Sequence, residues 1–282
     1  MNGIIIVNKE TNQTSRDVVN NLSDFFSDKK IGHAGTLDPL ATGVLVVCMG
    51  KATKLCEFLT NHNKEYVAVM ELGIKTDTFD REGMVLSKVD VKCTDKEIKA
   101  ALNHFIGEYE QEVPIYSAVK VNGKRLYEYA RNNISVVLPK RIVNIMNIDL
   151  ISIDKNIVTF KCLVSKGTYI RSLINDIGIY LGCGAMMQEL SRTMQGTYSI
   201  NEAYTIDQIK NGEYRLISIR ELLNDIPQQN IRDEVLSQIY NGAIIEKDFD
   251  SKYMVYCVND EPIAIYYEYD KDPTKAKPYI ML

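Results

Sequence analysis

A single carboxylate, Asp38, lies in a glycine-rich stretch, and a carboxylate presented on an ordered loop can act as a nucleophile. The stretch covers residues 32–43 and reads GHAGTLDPLATG. Its glycines permit turns that other residues resist, and Pro39 biases the residues before it away from helix. The apolar residues 44–49 that follow predict a buried strand, which would anchor the loop. Because Asp-Pro also initiates ordinary turns, a purely structural role for this stretch is the alternative.

Arg171 offers a cation for that carboxylate. It belongs to SKGTYIRSLI, residues 165–174, where we expect Thr168 to cap a helix and Arg171 to lie in the first turn. A cation at this end opposes the helix dipole at a cost of up to about 1 kcal/mol, so the position suggests a buried carboxylate as its partner. A carboxylate beside an apolar group tends to lose its charge, and a close guanidinium keeps it ionised and oriented. We therefore expect Arg171 to pair with Asp38.

Tyr66 is a third candidate, on an alternating strand predicted over residues 64–70. Tyrosine favours strands in any case, so a half-buried structural aromatic is the alternative. Basic residues are concentrated nearby, because residues 29–64 carry five lysines against two acidic residues. Residues 117–141 carry six basic residues against one acidic residue. Both segments suit a phosphate backbone, although solvated charged faces remain the alternative for any single lysine.

The elements that must position these residues alternate between strands and helices. Residues 3–7 predict a buried strand, and Ser15 is expected to cap the helix that follows it. Further predicted elements are a short helix over 51–59, a helix capped by Thr94 with Glu97, a helix over 124–131 after the Asn122-Gly123 turn, and paired strands over 141–164. After residue 228 a helix over 231–240 and two strands within 254–269 indicate a small β-rich unit. The predicted domains are residues 1–228 and 229–282.

The composition is that of a globular protein, with 282 residues, 45% of them hydrophobic and 25% charged. The net charge is −4, and the acidic surplus lies entirely after residue 228. No apolar run reaches the ~18 residues of a membrane span, and we expect a cytoplasmic protein with no membrane association. The six cysteines are scattered without a C-x-x-C pair, so they read as reduced, mostly buried residues with no metal site or disulfide framework.

Four stretches occur in the order of the motifs of the TruB family of tRNA pseudouridine synthases, which the chain resembles over residues 3–192. They are GHAGTLDPLATG around Asp38, the K-x-Y start of the strand with Tyr66, the P-x-x-S-A-x-K and G-K-x-L-Y-x-Y-A-R runs within residues 114–131, and SKGTYIRSL with Arg171. Glycines and an arginine within residues 182–192 continue the resemblance. Glu10 and Asn12 stand where the family usually has Pro and Gly.

The resemblance implies isomerisation of the T-loop uridine of tRNA, position 55 in tRNA numbering, to pseudouridine without cofactor or metal. It also implies an α+β pseudouridine synthase fold, with a central mixed, mainly antiparallel sheet flanked by helices and a small PUA-like C-terminal module. Asp38 would be the nucleophile, Arg171 its cation, and Tyr66 the ring that packs against the flipped base. The further substrate contacts it implies are His33 filling the gap left by the base, Tyr169 lining the uracil pocket, Leu190 closing it, Lys64 supporting the loop or meeting a phosphate, and Lys9 contacting the RNA backbone.

Two other classes of protein remain open at this stage. A non-catalytic RNA-binding protein on the same scaffold would keep the basic segments without needing Asp38, Tyr66 and Arg171 together. A glycosyl hydrolase would need a second catalytic carboxylate, and the sequence around Asp38 offers none. The expected partner is the T-stem-loop of tRNA, bound by a monomer that needs no guide RNA and no partner protein.

Overall fold

The computed structural model describes every residue of the chain, from Met1 to Leu282. The strands are β1 (Gly3–Lys9), β2 (Ile31–His33), β3 (Thr42–Met49), β4 (Lys64–Leu72), β5 (Ile74–Thr76), β6 (Val85–Lys88), β7 (Gly107–Glu112), β8 (Lys120–Val121), β9 (Lys124–Arg125), β10 (Lys140–Asp154), β11 (Ile157–Val164), β12 (Ala185–Gln195), β13 (Tyr198–Ser199), β14 (Ile217–Ser218), β15 (Gln228–Asn230), β16 (Ile245–Glu246), β17 (Tyr253–Val258), β18 (Glu261–Tyr269) and β19 (Asp272–Met281). The α-helices are α1 (Ser15–Phe26), α2 (Cys56–Thr60), α3 (Asp95–His104), α4 (Leu126–Arg131), α5 (Ile170–Tyr180), α6 (Ile206–Lys210), α7 (Ile219–Leu222) and α8 (Asp233–Tyr240). Two 3₁₀ turns, Gly50–Leu55 and Ile200–Glu202, complete the elements.

A ten-stranded sheet forms the centre of the molecule. Its strand order is β14-β1-β3-β12-β4-β11-β10-β7, with β2 beside β3 and β13 beside β12. Neighbouring strands are antiparallel except β3 and β12, which run parallel and pair at Thr42 with Ser191 and at Gly43 with Arg192. The expected α+β class, with a mixed and mainly antiparallel sheet flanked by helices, is confirmed.

Helices α1, α3 and α5 cover one face of this sheet and enclose the larger hydrophobic core, which has 34 buried residues. The helices contribute to it through apolar residues at helical spacing, such as Val18, Val19 and Leu22 of α1. Phe25, near the C-terminal end of α1, is 42% exposed and lies outside this core. Leu37, Leu40 and Ala41 of the loop that carries Asp38 belong to the same core. The core therefore supports this loop through its buried side chains.

The opposite face of β1 and β3 is covered by a second sheet of order β15-β17-β18-β19-β16. Val255, Cys257 and Ile265 of this C-terminal sheet share one core with Ile4 and Ile6 of β1 and with the outward residues of β3. The two strands expected within residues 254–269 are present. A third long strand, β19, was not predicted, because its sequence DPTKAKPYIM carries two prolines and three charged residues and does not alternate cleanly.

Helix starts differ from two expectations. Thr14, rather than Ser15, caps α1 through a reciprocal capping box with Asp17. Thr168 does not cap α5, because its hydroxyl donates to the carbonyl of Ser165 instead. The helix expected over residues 51–59 is divided into a 3₁₀ turn and the short α2. None of the helices has the length and apolar content that crossing a bilayer requires.

Candidate active site

The loop that carries Asp38 joins β2 to β3 and is fixed by buried side chains from distant segments. The Ser15 hydroxyl, which does not cap its own helix, accepts from the N–H of Leu37 at 2.9 Å and donates to the carbonyl of the same residue at 3.2 Å. Nη2 of Arg192 donates to the carbonyl of Gly35 at 3.0 Å. Gly35 has φ +103°, a left-handed conformation that explains a glycine at this position. The backbone beside the carboxylate is therefore held before any ligand arrives.

Arg171 reaches Asp38 from the first turn of α5, across 133 residues of sequence. Its Nε lies 2.8 Å from Oδ2, and its Nη2 donates to Oδ1 at 3.1 Å. The Nε–H is not aligned on a single acceptor, so the Nη2 contact is the better hydrogen bond. The arginine is 6% exposed, while the side chain of Asp38 keeps 33% exposure. The carboxylate is thus held in orientation by a buried cation and remains open to a ligand.

A second carboxylate, that of Asp80, lies on the other side of the guanidinium. Its Oδ2 is 3.6 Å from Nη1 of Arg171, and its Oδ1 accepts from the Thr78 hydroxyl at 2.5 Å and the Glu82 N–H at 3.1 Å. Arg171 also donates to the carbonyls of Thr78 at 3.2 Å and of Tyr116 at 3.1 Å. The buried cation is therefore compensated on both sides. Because Asp80 reaches Asp38 only through the guanidinium, its role in this geometry is to position Arg171.

Asp38 and Arg171 open into a cavity of about 370 Å³, within the size range of small-ligand sites. Its walls come from five segments of the chain. The lining residues are Gly35, Thr36, Leu37, Asp38, Thr60, Lys64, Tyr66, Tyr116, Ser117, Ala118, Tyr127, Gly167, Thr168, Tyr169, Ile170, Arg171, Leu190 and Arg192. Six of the eight side chains expected at the site line this cavity. Those six are Asp38, Lys64, Tyr66, Tyr169, Arg171 and Leu190.

Tyr66 projects from β4 into the same cavity and is 7% exposed. Burial raises the pKa of its hydroxyl, while the charge of Arg192 and a hydrogen bond from it act in the opposite direction. The hydroxyl is consequently protonated at neutral pH. A planar, protonated ring beside the carboxylate suits packing against a flat ligand.

Two lysines expected near the substrate serve the protein backbone instead. Lys9 is fully buried, and its Nζ donates to the carbonyls of Glu10, Gln13 and Pro39 at 2.8, 2.7 and 3.2 Å. The prediction that Lys9 contacts the RNA backbone is wrong for this structure, because no surface of the amine is free. Lys64 donates to the carbonyls of Thr60 and His62 at the end of α2, and its expected roles at the Asp38 loop or at a phosphate stay predictions. Burial is the main cause that lowers the pKa of each amine to about 8.

His33 lies outside the main cavity, in a separate cavity of about 420 Å³ that begins at the other end of the Asp38 loop. Arg16, Lys29 and Lys30 line this second cavity with it. Burial, followed by the charges of Arg16 and Arg192, lowers the pKa of His33. The imidazole is therefore neutral at pH 7 and lies among cations that suit a phosphate backbone. No group of three His, Cys, Asp or Glu side chains is arranged to hold a metal ion.

Three buried polar side chains near the site escaped the sequence analysis. Asp80 follows Phe79, a non-glycine residue with φ +64°, and nothing in its local pattern separates it from a surface turn. Gln111 is buried in the middle of a charged strand, GEYEQE, and that strand reads as solvent-facing. Arg192 was noted only as part of a resemblance, although an arginine on an otherwise buried strand is itself a signal of a buried role.

Comparisons with known proteins agree with this geometry. Residues 24–170 match the sequence model described as TruB family pseudouridylate synthase, N-terminal domain, and residues 171–226 match that of the tRNA pseudouridylate synthase B C-terminal domain. A tRNA pseudouridine synthase B of Clostridioides difficile is 46% identical over 277 residues, covering 94% of this chain and 91% of the relative. The protein of the same name from Clostridium kluyveri is 40% identical over 273 residues, covering 96% of this chain and 93% of that one.

The fold also has a solved counterpart. One chain in the crystal structure of a Cbf5–Nop10–Gar1 complex superposes with a TM-score of 0.70 at 27% sequence identity, covering 94% of this chain and 78% of that chain. Sequence models that match contiguous residues 24–226 and full-length relatives at 40% identity or more carry the assignment. On these grounds, the chain belongs to the TruB family of pseudouridylate synthases.

Proposed function

We propose that this protein is a tRNA pseudouridine synthase that isomerises the T-loop uridine at position 55. The observation that carries the proposal is the Asp38 carboxylate, held against the buried Arg171 guanidinium at 2.8 and 3.1 Å and facing a cavity that Tyr66 also lines. Relatives that match nearly the whole chain are named tRNA pseudouridine synthase B, which supports the same activity.

The reaction is a rearrangement within one nucleotide. The bond between N1 of uracil and C1′ of ribose breaks, the base turns, and a new bond forms between C5 and C1′. The proton lost from C5 is balanced by the proton gained at N1, so no outside group is consumed. The uridine must first leave its stack, at a cost of a few kcal/mol that contacts in the protein must offset.

We assign roles to the cavity residues on this basis. Asp38 is the nucleophile, attacking either C1′ of the sugar or C6 of the base, and Arg171 holds its carboxylate in orientation. Tyr66 packs against the flipped uracil, a contact worth ~1–3 kcal/mol. Tyr169 lines the pocket for the base and Leu190 closes it, while His33 occupies the gap that the base leaves in the T-loop.

We further propose that residues 1–228 carry the catalysis and that residues 229–282 form a PUA-like unit. The chain is proposed to act on tRNA as a monomer without a guide RNA or a partner protein. Residues 227–282 lie beyond the two matched sequence models, and the relatives are named for an activity on tRNA itself.

The test is incubation of the protein with a T-stem-loop RNA and with the same RNA carrying cytidine at the target position. Wild-type protein should form pseudouridine in the first RNA alone, as read by nucleoside chromatography after digestion, and Asp38→Asn should form none. Release of free uracil would identify a hydrolase, and tight RNA binding without conversion would identify a binding protein. Either result refutes the proposed isomerisation, and so does wild-type activity in Asp38→Asn.

A further inference from the structure

Arg171 lies at the N-terminal end of α5, and this end lacks the side-chain cap and the acidic residues that usually stabilise a helix start. Tyr169 is the residue that precedes the first turn, and its side chain makes no capping hydrogen bond. No acidic residue lies in the first turn, and the cation of Arg171 there opposes the helix dipole. Other contacts must therefore hold this turn where Arg171 can reach Asp38.

Gln111, on β7, supplies such a contact. It is 1% exposed, and its Oε1 accepts from the backbone N–H of Tyr169 at 2.8 Å. Its Nε2 donates to the backbone carbonyl of the same residue at 3.1 Å and also to the Tyr109 hydroxyl. One amide thus satisfies both polar backbone atoms of Tyr169. An amide of this length offers a donor and an acceptor side by side at any pH, whereas a carboxyl group does so only while it is protonated.

A second contact joins the same strand to the same turn. The hydroxyl of Ser172, which is 2% exposed, donates to the carbonyl of Glu112 at 2.9 Å. The end of β7 therefore holds α5 at residues 169 and 172, on either side of Arg171. None of these β7 atoms lines the cavity, so they cannot touch a substrate there.

We propose that Gln111 is a positioning residue for the reaction, because its amide pairs with the backbone of Tyr169 and so fixes the turn from which Arg171 aims the Asp38 carboxylate. This inference rests on the proposed function. Gln111 acts through Arg171 and Tyr169. Its loss should slow the chemical step and leave RNA binding nearly intact.

The test compares Gln111→Met, which keeps length but makes no hydrogen bonds, with Gln111→Glu. Glu108→Gln is the matched control, since it changes an exposed side chain on the same strand. Single-turnover rates and dissociation constants are measured with T-stem-loop RNA, and thermal unfolding confirms that each variant is folded. Gln111→Met should lower the rate by about tenfold to about a hundredfold and change the dissociation constant by less than about threefold.

Gln111→Glu adds a signature that a general packing defect cannot produce. A protonated glutamic acid still accepts from the Tyr169 N–H and donates to its carbonyl, whereas the carboxylate has no donor and repels that carbonyl. Its rate relative to wild type should therefore be near normal at about pH 5.5 and fall as the pH rises toward about 8.5. The titratable and charged groups around this position are Tyr109 and Glu112 on β7, Arg141 opposite on β10, and Arg171 and Asp176 on α5. Gln111→Met keeps these groups and has no titratable side chain at position 111, so its ratio to wild type at each pH reports their contribution, including that of Asp176, whose pKa burial raises to about 6.

An NMR measurement that needs no catalytic turnover distinguishes a failure of the proposed role of Gln111 from a failure of the proposed function. The ¹⁵N–¹H signal of Arg171 Nε, assigned by its absence in Arg171→Lys, should shift in Gln111→Met and stay unchanged in Glu108→Gln. A wild-type-like rate with an unmoved signal, a loss confined to RNA binding, or a pH profile shared by Gln111→Glu and Gln111→Met would each overturn the role of Gln111. If wild-type protein forms no pseudouridine, the proposed function fails, and the Arg171 signal still decides whether Gln111 positions this arginine.

Discussion

Replacing Arg171 by lysine should slow pseudouridine formation about a hundredfold or more while leaving the protein folded. The guanidinium contacts both oxygens of Asp38 and donates to the carbonyls of Thr78 and Tyr116. A lysine ammonium has one nitrogen and no planar fork, so it keeps at most one of the two carboxylate contacts and cannot reach both carbonyls. Each hydrogen bond to a charged group contributes about 1.5–3 kcal/mol.

Only part of the lost hydrogen-bond energy raises the activation free energy, because water partly solvates the carboxylate and the carbonyls that Arg171 no longer contacts. A net cost of about 3 kcal/mol corresponds to a rate decrease of roughly a hundredfold. The assay is a single-turnover reaction with excess enzyme and T-stem-loop RNA tritiated at C5 of the target uridine. The isomerisation releases that hydrogen, so tritium in the solvent reports the chemistry directly.

Arg220→Lys is the matched control, since the exposed Arg220 guanidinium contacts Asp260, its carboxylate at 3.4 Å and its carbonyl at 3.3 Å, far from the cavity residues. It should change neither rate nor melting temperature noticeably, because surface pairs contribute about 0–1 kcal/mol. A rate for Arg171→Lys within about threefold of wild type, in a protein with unchanged RNA affinity, would refute the assigned role of the bidentate contact.

Three further predictions follow from contacts around the site. Asp80→Asn should lower the single-turnover rate by about tenfold, since it removes one of two carboxylates facing the buried Arg171, and a rate equal to wild type would exclude Asp80 from positioning. Lys9 has a folded-state pKa near 8, below the 10.5 of the unfolded chain, so the folded state loses this proton first and stability gains a contribution as pH rises from about 8 to about 10.5. Denaturant titrations across that range should show a smaller gain in Lys9→Met than in wild type, because Lys64, whose pKa is also lowered to about 8, still contributes in the variant. Gly43→Ala should destabilise the fold by about 2–4 kcal/mol, because its Cβ would lie 2.2 Å from the Arg192 carbonyl oxygen. Gly212→Ala, at a similar positive φ but with nothing within 4 Å, should cost less in the same thermal melts, and equal losses would assign the effect to backbone strain alone.

The sequence predicted best those elements whose geometry is determined by their own residues. Loop glycines around Asp38, the alternation that carries Tyr66 and the Asn122-Gly123 turn all specify their own geometry, and each element is found as expected. The Asp38–Arg171 pair could be predicted because a cation at a helix start is unfavourable without a partner.

The features that the sequence did not predict depend mostly on contacts between distant segments, which local sequence patterns do not encode. Ser15 and Thr168 have the right type for helix caps, yet the Ser15 hydroxyl bonds to Leu37 in a distant loop, and the helix after Thr168 begins one residue later than expected, with Tyr169 at the capping position. Lys9 reads as a surface cation, and only the folded loop shows that three carbonyls converge on its amine. Asp80 lies in a turn without periodicity or motif. The glutamates that alternate along β7 mark its exposed face, but local pattern does not show that Gln111 on the other face is buried against α5.

The seam between β3 and β12 has a consequence for how the enzyme would fail. Asp38 is tethered to the half of the sheet that contains β3, whereas Tyr66 and Leu190 are carried by β4 and β12 on the other half. The two halves are joined in parallel at just two residue pairs, and Arg192 spans the junction by donating to the carbonyls of Gly35 and Val44. Separation of the two halves at this junction would move Asp38 away from Tyr66 and Leu190, while the hydrogen bonds between most of the antiparallel strands would remain intact. Mild denaturation should thus inactivate a molecule that still looks largely native by its secondary structure.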